Sequence, residues 1–317
     1  MKTTPSYNYE ATSDPFLFRF CDRNGDWDYY WHKGLNTFLP AVNHVLDVGF
    51  NKGKRFAEYL LSVSKEEAKK KLERAGEEGS RVHQAISDLI KGIKITAETK
   101  YLNELTGRQE VLNPDEWDEL LAFQQWVEDY KPRTIENEIS IHTLLYAGTY
   151  DWLGSIEITE KKKVKRVKVL IDWKTSAAIY GDYALQVAAY QHAVSDTTNG
   201  SNSSPRGNRV ARKGIYTAIL RLGSRHKSGY EFKLWTPQET QANYLKFLSA
   251  RELFDYMEPK FEPKIEEIPL EIKVEIPKHE EIKKIKKNEL HTNNKRRGCR
   301  VRNVRQSNSG RNRVLPL

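Results

Sequence analysis

Val167-Lys168-Val169-Leu170-Ile171-Asp172-Trp173-Lys174-Thr175 is the stretch that decides how this chain is read. The lead-in Val-Lys-Val-Leu-Ile is short, β-branched and apolar, the composition of a strand that sits inside a sheet. Asp172 and Lys174 are two residues apart, so on a strand both side chains leave the same face. A carboxylate and an ammonium at the end of a buried strand are costly unless they pair or bind a metal. Taken alone, the two residues read equally as a solvated salt bridge on an edge strand, the commoner case. Their neighbours settle which reading is followed.

Upstream, Ile135 to Ile141, Leu144 to Asp151 and Trp152 to Ile158 read as a meander of three strands, and the lysine-rich turn Lys161 to Arg166 leads into the strand Val167 to Lys174. Gly148-Thr149-Tyr150-Asp151 brings a second carboxylate to the end of a neighbouring strand, where it would meet Asp172. Two carboxylates with open coordination positions suit Mg²⁺ or Mn²⁺, hard ions that take oxygen ligands, and the backbone carbonyl of Trp173 is a further oxygen between them. Such an ion polarises a phosphate and lowers the pKa of a bound water. Lys174 would orient that water and offset charge that builds on the phosphorus centre.

Downstream, Tyr183 to Ala193 reads as a helix. Gln186 and Tyr190 lie at i and i+4 on one of its faces, an amide and a phenol suited to a nucleotide's phosphate and base. The plainer alternative is a packed Tyr190 and an exposed Gln186. His83 lies on a helix from Ser80 to Lys91 and shares its face with Ile86 and Ile90, so it points inward. An inward histidine alone is more often a satisfied core residue than a ligand. Glu138, on the first strand of the meander, alone reads as a solvated strand glutamate.

Farther out, Phe16, Phe18 and Phe20 at period two, followed by Asn24-Gly25, predict a strand entering a tight hairpin. Leu35 to Leu46 reads as helical. Gly49 to Phe56 (GFNKGKRF) fails as a phosphate loop: the spacing is short, and Arg55 stands where a hydroxyl would hold Mg²⁺. Phe56, Leu60 and Val63 have helical spacing instead. Ser64-Lys65-Glu66-Glu67 is a capping box that opens a helix, and Gly92 is a stop for the helix that begins at Ser80. Asn113-Pro114-Asp115-Glu116 is a helix start, with Trp117, Leu120, Leu121 and Val127 marking the apolar face and Pro132 the end. Asp196 to Lys213 has loop composition, Ile215 to Leu222 and Tyr230 to Trp235 form a late hairpin, and Thr236 to Met257 is a last helix.

The formal net charge of +9 is uneven. Glu281 to Leu317 hold twelve Lys/Arg and two Glu, so this tail carries +10, and the other 40 basic and 41 acidic residues nearly cancel. A basic tail suits a polyanion, since each neutralised phosphate releases counterions; a merely solvated tail is the alternative. No apolar run approaches the ~20 residues of a membrane span, and the N-terminus lacks the apolar core of a signal peptide. The expectation is a cytoplasmic protein without membrane contact. Cys21 and Cys299 are too few for a thiolate cluster and read as unpaired thiols in a reducing compartment.

Set in order, Gly79-Ser80-Arg81-Val82-His83, Glu138, Gly148-Thr149-Tyr150-Asp151, Ile171-Asp172-Trp173-Lys174-Thr175 and Gln186-x-x-x-Tyr190 resemble the RecB-like exonuclease branch of the PD-(D/E)xK nuclease superfamily, in particular its phage and bacterial single-domain members. Residues from about Asn51 to Trp235 carry the resemblance. It implies a restriction-endonuclease-like α/β core, a central mixed sheet flanked by helices, within a nuclease domain over 1–257. Residues 1–79 would be its N-terminal hairpin and helical part, 80–257 its catalytic core, and 258–317 a charged linker and disordered basic tail. It implies Mg²⁺ or Mn²⁺ held by His83, Asp151, Asp172 and the Trp173 carbonyl, Lys174 as catalytic lysine beside Asp172 and Asp151, and Gln186 and Tyr190 positioning DNA. Glu138 and Thr175 would stand behind the ligands. Two cysteines exclude the relatives that carry an iron–sulfur cluster.

The function so implied is metal-dependent cleavage of DNA, as an exonuclease, in a bacterial or phage-infected cell, with a motor or recombination protein as a further partner. Two alternatives stand beside it. One is a catalytically inactive DNA-binding or assembly protein on the same fold. The other, resting on the tail alone, is an unrelated basic RNA-binding protein.

Overall fold

The computed structural model describes residues 3–5, 8–21, 28–50, 65–196, 214–223, 229–258 and 267–269. The chain divides into two compact units. In the smaller, composed of 1–4 and 267–317, the described residues belong to two short strands, β1 (Thr3–Pro5) and β13 (Glu267–Pro269), which form a two-stranded sheet.

Residues 5–266 form the larger unit. It begins with β2 (Asn8–Ala11), β3 (Leu17–Cys21), β4 (Tyr29–His32) and β5 (Thr37–Pro40), an antiparallel four-stranded sheet. Helices α1 (Val42–Gly49) and α2 (Lys65–Ile90) follow, then the hairpin β6 (Lys100–Asn103) and β7 (Arg108–Val111), then α3 (Pro114–Tyr130). The rest is β8 (Arg133–His142), β9 (Ala147–Glu160), β10 (Lys163–Lys174), α4 (Gly181–Asp196), β11 (Tyr216–Leu222), β12 (Tyr230–Trp235) and α5 (Pro237–Met257). No helix among the described residues is long and apolar enough to cross a membrane.

The central sheet has the order β12-β11-β10-β9-β8. Only β10 and β11 are parallel, and such a pair needs a crossover, which α4 supplies. The fold is therefore mixed α/β, a central mixed sheet with helices on both faces. β10 lies in the middle, as its apolar run requires. Val169, Ile171 and Trp173 enter one core with α2 and α3; Leu170 enters the other with α1, α4 and α5. Val187, Ala188, Ala189 and Tyr190 are four consecutive buried residues, so α4 is enclosed on all sides. Gly49 allows α1 to touch α5, since a Cβ there would lie 2.2 Å from the Ala250 carbonyl oxygen.

Several expectations are corrected. The meander is two strands: β9 runs unbroken through Asp151-Trp152, a pair with no turn residue to stop it. Leu35 to Leu46 is not one helix but a turn, β5 and the start of α1, because Pro40 lacks the N–H that a helix interior needs. The helix expected from Ser80 already runs from Lys65, continuous through Gly76 and Gly79, so residues 79 and 80 are neighbours within one helix. On α3, Phe123 and Trp126 join Leu120 in the core while Leu121 is exposed; two large aromatics outweigh one leucine in choosing the buried face. On β3 the buried residues are Leu17 and Phe20, and Phe16 is exposed. The capping box of α3 is present, as is one at Thr236–Glu239 opening α5. Asn24-Gly25, residues 51–64, the segment 197–213, Cys299 and the basic tail lie outside the described residues.

Candidate functional site

The site begins where the central sheet splits. The β9–β10 ladder ends at Ile171 opposite Trp152, yet both strands continue. Beyond that point the amide N–H of Trp173 donates to Asp151 Oδ2 at 2.7 Å, so a side chain replaces the ladder carbonyl. That substitution fixes Asp151 against β10 and opens a gap between the strands. The other oxygen of Asp151 lies 3.3 Å from His83 Nδ1, reaching across from α2.

On the same stretch of β10, Lys174 Nζ is 2.6 Å from Asp172 Oδ2. Asp172 is 4% exposed, so this pair is not the solvated surface bridge. Gln186, one turn into α4, points its Nε2 at Asp172 Oδ1 (3.5 Å) and donates to the Tyr190 hydroxyl at 3.0 Å. Gln186 and Tyr190 are both buried, at 4% and 3% exposure. Here they brace Asp172 from below rather than reach outward to a nucleotide, and the exposed Gln186 of the plainer alternative is not found.

The charges explain why the constellation holds together. Burial raises the Asp172 carboxyl, and Asp151 adds to the rise; Lys174 and His83 offset only part, leaving it at about 6. Burial would also raise Asp151, but His83, Lys174 and the Trp173 N–H pull it below the ordinary carboxylate range. His83 and Lys174 are both raised, because the two carboxylates outweigh burial. Two acids and two bases thus share one small space, and Lys174 and His83 stand where a cation between the carboxylates would be felt most.

The donor set suits a hard divalent ion: two carboxylates supply charged oxygens, and His83 adds an imidazole, compatible with Mn²⁺. Among the described residues no three His, Cys, Asp or Glu side chains already converge on one point. The contacts show why: Lys174 lies on one oxygen of Asp172 and His83 on one of Asp151. Trp173 already engages Asp151 through its backbone N–H.

Glu138 lies on β8 between Asn137 and Ile139, which pair with Trp152 and Tyr150 on either side of Asp151. It accepts from Ser87 Oγ at 2.9 Å and lies 3.9 Å from Lys91 Nζ, one turn along α2 from His83. Its φ of +52° is unusual for a non-glycine residue and follows a register shift between Thr134 and Glu136. Thr175 meets α2: a Cβ on Gly79 would lie 3.0 Å from its Oγ1, so Gly79 allows the His83 helix to approach β10.

Sequence reasoning passed over three participants. Tyr183 places its ring 4.8 Å from Lys174 Nζ, a cation–π contact that holds the ammonium from the α4 side. Its position three residues before Gln186 was the available signal. Glu136 accepts a short hydrogen bond from the Tyr150 hydroxyl beside Asp151. Gly148 is required by Tyr190, since a Cβ there would lie 2.6 Å from its ring. Gly148→Ala is therefore expected to displace Tyr190 and lower stability by ~1–3 kcal/mol, the range for overpacking. Urea unfolding at neutral pH checks this, and an unchanged midpoint would mean the Tyr190 ring has room to move.

No family model and no curated protein matches the chain. Among solved structures, it is similar to a candidate exonuclease of Eubacterium rectale, at 11% identity and a TM-score of 0.32 over 63% of this chain and 77% of that one. It is also similar to an alkaline exonuclease of Laribacter hongkongensis, at 12% identity and a TM-score of 0.26 over 70% of this chain and 94% of that one.

Proposed function

We propose that this chain is a metal-dependent deoxyribonuclease of exonuclease type, hydrolysing phosphodiester bonds at the split between β9 and β10. One observation carries the reading: side chains from three separate elements meet at the end of the central strand, with a buried Asp172–Lys174 pair beside Asp151 and His83. Two like charges 4% and, for the Asp151 side chain, 16% exposed are expensive to keep without a purpose that uses both.

Asp151, Asp172 and His83 would hold Mg²⁺ or Mn²⁺, with the Trp173 carbonyl as a further oxygen. Bound there, the ion would supply Lewis acidity toward the phosphate and a more acidic water. Lys174 stays protonated, so its role is to neutralise charge that develops on the phosphate and to orient the attacking water. Tyr183 limits where that ammonium can sit, and Gln186 with Tyr190 keeps Asp172 turned toward Lys174. Among the described residues there is no base-reading element, and cleavage without sequence preference is the proposed mode. DNA ends are the proposed substrate and the cytoplasm the proposed location, with a motor or recombination protein as the proposed partner.

The test is incubation of the full chain with linear and covalently closed circular DNA in Mg²⁺, Mn²⁺ or EDTA, beside Asp172→Ala/Lys174→Ala. The expected result is loss of linear DNA only, with either ion, absent in EDTA and in the variant. Cleavage undiminished in the variant, or none with any ion, would overturn the reading. The second outcome would favour an inactive DNA-binding protein on this fold, a reading that gains from Lys174 occupying an Asp172 oxygen.

A further inference from the structure

The β9–β10 hairpin outgrows its sheet. β8 covers β9 only as far as Ser155, opposite Arg133, and β11 covers β10 only from Val169, opposite Tyr216. Residues 156–168 therefore run past both neighbouring strands as a two-stranded arm whose base packs inward through Ile156 and Val167 and whose exposed end spans 159–164, with Glu160 paired to Lys163 across a two-residue tip. The arm holds Lys161, Lys162, Lys163, Lys165, Arg166 and Lys168 against Glu157 and Glu160.

Both acids are already used. Glu157 pairs with Arg166 at 2.6 Å and with Lys131 at 3.8 Å, and Glu160 pairs with Lys165. Lys161, Lys162, Lys163 and Lys168 have no ion-pair partner among the described residues. The globular part of the chain is near neutral, so this is a local positive pole.

The tip itself is chemically wrong for its shape. Lys161 and Lys162 have φ of +50° and +64°, the type I′ turn that joins two antiparallel strands directly. That turn prefers Asn-Gly, and a lysine in the left-handed region costs about 1 kcal/mol. Two adjacent lysines are thus held in disfavoured backbone at the exposed tip of an arm, with no ion pair to either ammonium among the described residues. Strain of this kind marks a site that uses the side chains.

We propose that the arm is a second nucleic-acid contact, gripping phosphates away from the proposed cleavage centre. Nine residues of strand separate Lys163 from Asp172, ~30 Å at ~3.3 Å per residue, so the arm and the cleft are separate places on the protein. The choice of nucleic acid among polyanions rests on the nuclease reading; the positive pole and the strained turn do not.

The test uses the turn's own chemistry. Lys161→Asn/Lys162→Gly/Lys163→Gln removes three charges while installing the sequence that the turn prefers, so loss of binding cannot be blamed on loss of fold. Binding of the full chain to a labelled duplex of roughly thirty base pairs, about 100 Å long at 3.4 Å per pair, is measured in EDTA across a salt series. The expected result is an unchanged or raised melting temperature, about tenfold weaker binding at low salt, and a salt slope shallower by ~2–3, since each lost phosphate contact removes ~0.9. The basic tail contributes equally to both proteins and cancels. Unchanged affinity and slope in the folded variant would overturn the proposal. So would weakened binding to phosphatidylserine vesicles with DNA binding intact, which would assign the arm to a membrane surface. If the wild type cuts no DNA yet the arm variant still loses binding, the cleavage centre fails and the arm stands.

Discussion

Asp172→Leu/Lys174→Met is expected to lose cleavage of linear DNA by ~10³-fold or more while the metal-free protein becomes no less stable than the wild type. The two halves of this expectation come from the same contact. Asp172 is 4% exposed and its shortest recorded contact is Lys174 Nζ at 2.6 Å. Removing Lys174 alone, as Lys174→Met, leaves that carboxylate buried with Gln186, at 3.5 Å, as its remaining hydrogen-bond donor among the described residues. Breaking a buried pair in this way costs ~3–5 kcal/mol, reduced here because Asp172 can take up a proton instead. Asp172→Leu alone leaves an ammonium that is still 19% exposed and rests on the Tyr183 ring, so its cost is smaller. Removing both withdraws two desolvated charges from a strand end whose same-face neighbour Leu170 lies in the apolar core, and apolar replacements commonly match or exceed such a pair. Urea unfolding of the four proteins in EDTA, with cleavage assayed in Mn²⁺, measures the coupling directly. A double variant less stable than both singles would show that the pair holds the fold together, and one that still cuts DNA would place the chemistry elsewhere.

The same residues show what the sequence could and could not reveal. β10 was legible because four of the five residues from Val167 to Ile171 are apolar and three of them β-branched, which reads as a buried strand with Asp-x-Lys at its end. The helix starts at Asn113 and Thr236 were also within reach of local chemistry, since cap, proline and glutamate act within one turn, although neither was read as a capping box. The long strand β9 was not, because nothing local distinguishes Asp151-Trp152 in mid-strand from the same residues at a strand end. The difference lies in pairing with both β8 and β10. The composition of the site was legible for the same reason as β10, being a set of residue types at fixed spacing. Its depth was not. Gln186 and Tyr190 are buried against the sheet, where Gln186 meets Asp172 on β10 and Tyr190 meets Gly148 on β9, and Glu138 meets Ser87 across from β8 to α2. Tyr183 and Gly148 belong to the site through contacts made only when α4 lies across the ends of β9 and β10.

Trp173→Ala should be the most destabilising single substitution at the site, although the residue it removes faces away from the chemistry. Trp173 stands between Asp172 and Lys174, so strand alternation sends its indole to the opposite face, where it is 2% exposed. Its ring lies 5.6 Å from both Phe123 and Trp126 and 6.2 Å from Trp152, in edge-on and tilted arrangements that aromatic pairs favour. Truncation leaves a cavity among three large rings, with a cost of ~3–5 kcal/mol. That is a large share of the ~5–15 kcal/mol that holds a typical domain folded, and it should lower the melting temperature by roughly 10 °C or more. The packing has a functional consequence. The indole anchors the last residues of β10, whose N–H at 173 holds Asp151 at 2.7 Å, so the acids lose their common reference when the anchor goes. Trp173→Ala is therefore expected to cut DNA poorly even at temperatures where circular dichroism shows it folded. Trp173→Phe keeps an aromatic anchor and should retain cleavage within about tenfold, at a cost of ~1–3 kcal/mol. The pattern is the reverse of the Asp172/Lys174 double variant, which is stable and inactive. Should Trp173→Ala melt within a few degrees of the wild type, the ring cluster is not what fixes the end of β10. Should it melt early yet cut normally wherever it is folded, the geometry of Asp151 and Asp172 does not depend on that anchor.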